Sequence, residues 1–265
     1  MNKILIILVC ITANIAANDS IGNFADQLFD QQNYLDASVE YERLIFFDSL
    51  RRNFSIKLKL SRCYFELDSY ENSMKILEEL AGTAGDTGTS ARILAGEIDI
   101  KQGHYDNAVS RLKNIDMGKA LLISGYAYFR LGKIEEAKAS FQGIYENDSL
   151  YNRSQRLSEF LDKKVKLKDK NYCIAGILSL MPGLGHLYTG RKGDGLFSLA
   201  LVSAFGSIGY FYHQRESYVR SSSMFTISGL FYAGSIYGAL MGVKIYNRDR
   251  KIKYHEDFDA IYSSD

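Results

Sequence analysis

Residues 18–150 repeat one pattern four times, and this repeat leaves few folds open to the chain. A marker position holds Tyr34, Tyr70, Tyr105 and Ile134, at spacings of 36, 35 and 29 residues. Small residues stand nine positions before and three positions after each marker, and bulky residues stand seven and ten positions after it. In that order, these are Ala25, Ser61, Gly96 and Gly125; Ala37, Ser73, Ala108 and Ala137; Tyr41, Leu77, Leu112 and Phe141; and Leu44, Leu80, Ile115 and Ile144.

Such alternation of small and bulky positions indicates pairs of helices. Small side chains let two helices approach closely, and bulky side chains fill the space beside the contact. Asp68, Gly103 and Gly132 are expected in the tight turns between the paired helices. One hairpin cannot bury its apolar face alone, so hairpins of this kind stack. We therefore predict an all-α fold in which four helical hairpins form a solenoid.

The pattern resembles the tetratricopeptide repeat, which has about 34 residues per unit. The resemblance covers residues 18 to about 150. It departs from the family because the chain has no tryptophan, and because Asp99 stands where an apolar residue is usual. The proline that often closes a unit is also absent, and the positions hold Ser49, Gly85, Ala120 and Ser149. The resemblance implies a solenoid whose concave face binds a protein or peptide.

The residues expected on that concave face come from the first helix of each hairpin. They are Asp26, Arg62, Glu97, Tyr126 and Arg130. Charges of both signs together with an aromatic ring suit a peptide or helix as ligand. Each of these residues could equally be an ordinary solvated surface residue.

The segments that flank the repeats have their own signatures. Residues 1–17 carry one lysine, an apolar stretch from Ile4 to Ile11 and then small residues, which predicts a cleaved signal peptide. Residues 151–170 are predicted to form a capping helix and a basic linker. The cap would bury a stripe of Leu157, Phe160, Leu161 and Val165.

Three apolar segments in the second half predict a small helical membrane domain over residues 171–246, followed by a polar tail at 247–265. They are Tyr172–Thr189, Leu196–Tyr212 and Met224–Val243. The third has twenty residues without a charge, which is long enough to cross a bilayer core. Tyrosines at the segment ends fit the headgroup level. A buried hairpin of a soluble domain is the alternative.

The first apolar segment contains Pro182, the only proline of the chain. Because proline lacks an N–H, it interrupts the helix about half-way through a bilayer. The stretch resembles a small bacterial membrane module with the pattern Pro-Gly-x-Gly-x-x-Tyr-x-Gly, a resemblance that covers residues 172–248. The matching residues are Pro182, Gly183, Gly185, Tyr188 and Gly190. The resemblance implies a membrane location and does not imply a chemical activity. Asp194 is expected near the N-terminus of the helix formed by the second segment, where the partial positive charge of the helix would favour a carboxylate.

The third segment carries Gly234, Gly238 and Gly242 at a spacing of four. Such a stripe lets helices pack closely in lipid. We expect it to pack on the second segment, which offers a small face at Ala200, Ala204 and Ser207. A homo-oligomer formed through the glycine stripe is the alternative.

The topology follows from the signal peptide and from the number of crossings. We predict exported repeats, three crossings with Pro182 as a kink inside a crossing helix, and a cytoplasmic tail. A re-entrant first segment would leave two crossings and place both ends on one side. Twelve basic residues would then lie on that side and two on the other. The expected location is the bacterial inner membrane, with the repeats on the periplasmic side.

Known catalytic patterns are missing from the sequence, which has no G-x-S-x-G, P-loop or HExxH motif. His186, His213 and Asp194 could act together inside a membrane, but nothing in their spacing indicates it. We predict no enzyme, cofactor, metal site or nucleic-acid partner. The predicted function is a membrane-anchored scaffold of the cell envelope that contacts lipid and binds a protein or peptide. The alternative is a membrane module with its own transport, lipid-handling or insertion role, regulated by the repeats.

Overall fold

The computed structural model of the protein describes residues 21–47, 54–164 and 169–264. Every regular element in these residues is a helix, and they form a helical solenoid followed by two long apolar helices. The predicted fold class is therefore confirmed. The chain divides into two compact units, unit 1 up to Leu161 and unit 2 from Asp162. The predicted signal peptide lies outside the described residues.

Unit 1 contains consecutive helices that pair as antiparallel hairpins. Helix α1 occupies residues 21–30. The next helices are α2 (Tyr34–Phe47), α3 (Phe54–Glu66), α4 (Tyr70–Ala81), α5 (Asp86–Lys101), α6 (Tyr105–Leu112), α7 (Gly118–Arg130) and α8 (Ile134–Gln142). Helix α9 (Tyr151–Lys164) follows the fourth hairpin and crosses the division between the units.

The repeated small and bulky positions are where the helices of a hairpin touch. Leu112 of α6 approaches Gly96 of α5 so closely that a methyl group at Gly96 would lie 3.0 Å from it. A methyl group at Gly125 of α7 would overlap the ring of Phe141 in α8. In the third and fourth hairpins, the pattern in the sequence therefore corresponds to contacts between the two paired helices.

Left-handed backbone closes each hairpin. Asp68, Gly103 and Gly132 have φ values of 54°, 77° and 77° and lie between the paired helices, as expected. Gln32 makes the same turn between α1 and α2 with φ of 61°. Glycine adopts this conformation without the steric penalty that other residues meet. The chain accordingly uses it at two of the four turns.

Asp99 occupies a buried position in α5, where its side chain is 3% exposed. Its carboxylate accepts a hydrogen bond from Arg111 Nε at 2.7 Å. Burial raises the pKa of Asp99, and the attraction of the Arg111 guanidinium only partly offsets that effect. The departure from the repeat pattern is therefore a charged pair between the two helices of the third hairpin.

Over residues 169–264, unit 2 contains four further helices, α10 (Tyr172–Leu178), α11 (Leu184–Tyr188), α12 (Lys192–Gln214) and α13 (Tyr218–Ser263). Helix α13 has 46 residues and continues without a break into the segment predicted as a polar tail. Helices α12 and α13 form an antiparallel pair. Ser221 donates to Gly209 O at 2.9 Å, and Ser228 donates to Val202 O at 3.0 Å.

The expected kink at Pro182 is wrong, because the chain reverses there. Lys170 Nζ donates to Tyr188 O, and Asn171 N donates to Tyr188 Oη at 3.1 Å. The start of α10 therefore lies beside the end of α11. Helices α10 and α11 form a short hairpin, called here the re-entrant hairpin, whose tip is the turn at residues 179–183.

Candidate protein-binding surface

The first helices of the four hairpins share a cavity of about 340 Å³. Its floor and walls are mostly apolar, and cationic side chains stand among them. Helices α1, α3 and α5 contribute, and so does the start of the fourth hairpin. The lining residues are Phe29, Leu58, Lys59, Arg62, Ser90, Ile93, Leu94, Met117 and Lys119.

Ion pairs connect consecutive first helices beside the cavity. Lys59 of α3 contacts Asp26 of α1 at 2.7 Å. Arg62 of α3 contacts Glu97 of α5 at 3.0 Å, and Lys119 of α7 contacts the other oxygen of Glu97 at 2.6 Å. The charges thus alternate in sign from α1 to α7, and they bind neighbouring repeats to one another.

Asp26 is held in its ionised form by its neighbours. Its carboxylate also accepts a hydrogen bond from Tyr41 Oη at 2.6 Å. Partial burial raises the pKa of Asp26, but the hydrogen bonds from Lys59 and Tyr41 outweigh it and bring the pKa below its ordinary value. The carboxylate of Asp26 therefore binds neighbouring side chains of the repeats, and its role in binding a partner stays a prediction.

Tyr126 and Arg130 form a second group further along the solenoid. Arg130 Nη1 lies 3.4 Å from Tyr126 Oη. Its guanidinium also lies 5.4 Å from the centre of the Tyr105 ring and 5.9 Å from that of Tyr126. Neither residue lines the cavity. The structure therefore separates the five predicted residues into an ion-pair ladder and a tyrosine–arginine stack.

Sequence reasoning missed the apolar part of this surface. Phe29, Leu94 and Met117 were not singled out, because an apolar residue of a repeat helix is normally assigned to the core. Lys59 and Lys119 were also missed. The sequence contained one indication of this surface, Met117, which is an apolar residue in the turn before α7. In the structure Met117 is 48% exposed.

The glycines of the re-entrant hairpin permit close backbone contacts. Gly183 has φ of 87°, and a methyl group there would collide with the carbonyl oxygen of Gly195 at the start of α12. A methyl group at Gly185 would lie 2.6 Å from Ala239 of α13. Gly190 also has positive φ, and Asp194 in the first turn of α12 pairs with Arg191 at 2.6 Å. Pro182 and these glycines thus fold the hairpin onto α12 and α13.

The glycine stripe packs on a different partner from the one expected. A methyl group at Gly238 would lie 2.8 Å from His186 Cε1, and one at Gly242 would lie 2.8 Å from Thr189 Oγ1. Both contacts belong to the re-entrant hairpin, whereas Gly234 has nothing within 4 Å. The expected small face of α12 is instead exposed; it consists of Ala200, Ala204 and Ser207. The prediction that the stripe packs on the second segment is wrong.

The structure separates His213 from His186 and Asp194, so the three do not form one site. His186 is buried against Gly238, while His213 lies in the last turn of α12 beside Tyr218. Asp194 lies in the first turn of the same helix, which has 23 residues and is about 34 Å long. Among the described residues no group of three or more His, Cys, Asp or Glu side chains could hold a metal ion.

The open end of the re-entrant hairpin is fastened to α13. The Asn247 side chain accepts from Lys170 N at 2.9 Å and donates to Lys170 O at 3.0 Å. The Lys170 ammonium lies 3.7 Å from the centre of the Tyr246 ring, and Arg250 pairs with Asp169. The start of this hairpin therefore lies at the level where α13 becomes charged.

The comparisons with known proteins concern the repeats. A family model of the tetratricopeptide repeat matches residues 119–149, which include most of the fourth hairpin. No curated protein matches the chain. A solved tetratricopeptide repeat protein from Parabacteroides merdae ATCC 43184 is similar, with 11% identity, a TM-score of 0.49, and coverage of 86% of this chain and 99% of that one. The chain contains a tetratricopeptide repeat within an all-helical repeat solenoid.

Proposed function

We propose that the protein is a membrane-anchored scaffold whose solenoid binds a protein partner. The observation that carries the proposal is the open cavity on the first helices of the repeats. Tetratricopeptide repeats generally bind protein partners, and a repeat array presents a continuous surface for an extended ligand. Met117 is exposed and Phe29 and Leu58 are half-buried, so part of the apolar lining is open to water, which favours contact with a partner.

Anchoring rests on α12 and α13. Their most apolar windows are only 11% and 17% buried within the protein, although both helices are long and apolar enough to cross a bilayer. A soluble core helix would be mostly covered by protein. Lipid is the cover proposed for these faces.

The re-entrant hairpin changes the proposed topology. Only α12 and the first part of α13 cross the membrane, so the chain enters and leaves on the same side. Export of a whole domain follows its signal. The predicted signal peptide supports a location of the repeats and the tail outside the cytoplasm of a bacterial cell, at the inner membrane. The twelve basic residues on this side favour the opposite orientation, which the following test distinguishes.

The topology test uses a reporter enzyme that is active only outside the cytoplasm. It is fused after Asp265 in one strain and inserted after Gly143, an exposed end of α8, in another. Activity in both strains is expected. Activity in one strain alone would contradict the two-crossing arrangement, and inactivity in both would reverse its orientation.

Partner binding is tested by site-specific photo-crosslinking in cells. A photoreactive residue at Ser90 lies in the cavity, and one at Asn72 on the exposed surface of α4 serves as the matched control. A discrete protein adduct is expected from Ser90 and not from Asn72. Equal adducts from both positions, or none from Ser90, would contradict a scaffold that binds through this face.

One observation favours a second function, a role of the membrane unit itself. His186 Nδ1 and Ser235 Oγ are buried without a hydrogen-bond partner, and unsatisfied buried polar atoms are costly. If the membrane unit has a role of its own, residues 165–265 expressed alone should restore the wild-type phenotype to a strain that lacks the gene. Restoration only by the full chain favours the scaffold.

A further inference from the structure

The cavity combines an apolar interior with cations at its mouth. Five apolar side chains line it, and Lys59, Arg62 and Lys119 stand among them. None of the residues that line the cavity is acidic. This local balance contrasts with residues 18–150 as a whole, which carry 21 acidic and 15 basic residues. A cationic mouth on an acidic half of the chain favours a ligand that brings its own negative charge.

The acidic partners of these cations leave hydrogen-bond donors free. Asp26, Glu66 and Glu97 contact the cations but do not line the cavity. Lys59 and Lys119 side chains are 42% and 48% exposed, so each ammonium remains accessible. A lysine ammonium has three N–H donors, and Lys119 uses one of them in its contact with Glu97. The mouth can therefore bind one further carboxylate without breaking the ladder.

The volume limits what the interior can hold. About 340 Å³ lies at the lower end of the range for small-ligand pockets, which suits one large apolar side chain. A single buried anchor of this kind supplies much of the affinity in many protein interfaces.

We infer that the cavity recognises a peptide segment in which a large apolar residue stands next to an acidic residue. The apolar side chain enters among Phe29, Leu94 and Met117, and the carboxylate pairs with Lys119. This inference rests on the proposed scaffold function and specifies the chemistry of the partner.

The test measures the binding of four synthetic peptides to the full-length protein in nanodiscs. The peptides share one fluorescent dodecapeptide frame with a central Glu-Phe-Glu, Glu-Ala-Glu, Ser-Phe-Ser or Lys-Phe-Lys. The Glu-Phe-Glu peptide is expected to bind about tenfold to a hundredfold more tightly than Glu-Ala-Glu, because it alone buries a large apolar side chain with the same charges. It is also expected to bind more tightly than both other phenylalanine peptides, with Lys-Phe-Lys the weakest.

Variants assign the effect to the cavity. Ser90→Phe fills the cavity and should reduce Glu-Phe-Glu binding by tenfold or more. Lys119→Gln should reduce the preference for Glu-Phe-Glu over Ser-Phe-Ser while leaving Ser-Phe-Ser binding unchanged. Lys113→Gln, on the exposed end of α6, is the matched charge control and should change neither. Circular dichroism checks that each variant keeps its helix content.

The outcomes separate this inference from the scaffold proposal. Equal binding of the four peptides, no binding of Glu-Phe-Glu, or unaltered binding by Ser90→Phe would each overturn the inference. A crosslinked partner at Ser90 would still support the scaffold in those cases, because the crosslink requires only that a protein lies against the cavity.

Discussion

Single residues in the repeats have roles set by their surroundings. Asp99 is a carboxylate at a core position, tied to Arg111 at 2.7 Å. Gly125 is small because the Phe141 ring occupies the space that a side chain would need. Both can be tested by substitutions that change one group and leave the hairpin otherwise intact.

The first prediction concerns Asp99 and pH. Its pKa is raised in the folded protein, above the ordinary value of 3.8, chiefly because burial disfavours the charge. The raised pKa means that protonated Asp99 stabilises the folded protein. This contribution to the free energy of unfolding is complete below about pH 4 and declines as the pH rises through the pKa of the folded state. Asp99→Asn removes this dependence. The stability of the wild type relative to the variant, from thermal unfolding, should be greater at pH 3.5 than at pH 7. A difference that is larger at pH 7 would contradict the raised pKa.

The second prediction concerns Gly125. Gly125→Ala should lower the free energy of unfolding of the repeats by about 1–3 kcal/mol, because the methyl group overlaps Phe141 and forces the helices apart. Gly82→Ala is the control, since nothing lies within 4 Å of that position and its backbone is right-handed. Chemical denaturation followed by circular dichroism compares the two. Equal effects would contradict a close contact at Gly125.

At the scale of elements, the sequence predicted the repeat helices better than the packing of the apolar helices in unit 2. The small and bulky positions of α5 and α6 record a contact between neighbouring helices, so their spacing reveals it. The partner of the glycine stripe depends on the direction that the chain takes after Pro182, which the left-handed Gly183 decides. Proline indicates that a helix ends; it does not indicate where the chain goes next.

The third prediction tests the packing of α13 on the re-entrant hairpin. Gly238→Leu should lower the melting temperature of unit 2 in detergent, because the side chain would enter the space of the His186 ring. The repeats should keep their helix content. Gly234→Leu, on the same helix with nothing within 4 Å, should have little effect. If both variants melt like the wild type, the glycine contact is not tight.

The whole molecule combines a solenoid that could be predicted with a candidate binding surface that could not. Asp26, Arg62 and Glu97 were assigned to a partner from their positions, yet they pair with residues of neighbouring helices. Such pairs join residues about 35 positions apart, and sequence spacing does not show which charges are satisfied. The apolar cavity was missed for a related reason, because hydrophobicity alone does not distinguish a lining residue from a core residue.

The fourth prediction concerns the independence of the units. Residues 18–165 expressed alone should form a soluble and strongly helical domain, since four stacked hairpins exceed the three that such arrays need. Circular dichroism measures the helix content. A spectrum of coil or strand would contradict an independently folding solenoid.

The length of α13 has a mechanical consequence. Its 46 residues extend about 69 Å, of which roughly 30 Å follow Val243. An unbroken helix is a stiff rod, so the charged end and the glycine contact with His186 move as one body. By simple leverage, a tilt of about 10° at the Gly238 contact, which lies about 38 Å from the far end, displaces that end by roughly 6–7 Å. A force on the charged end of α13 is therefore transmitted to the contact between Gly238 and His186, and the helix acts as a lever arm.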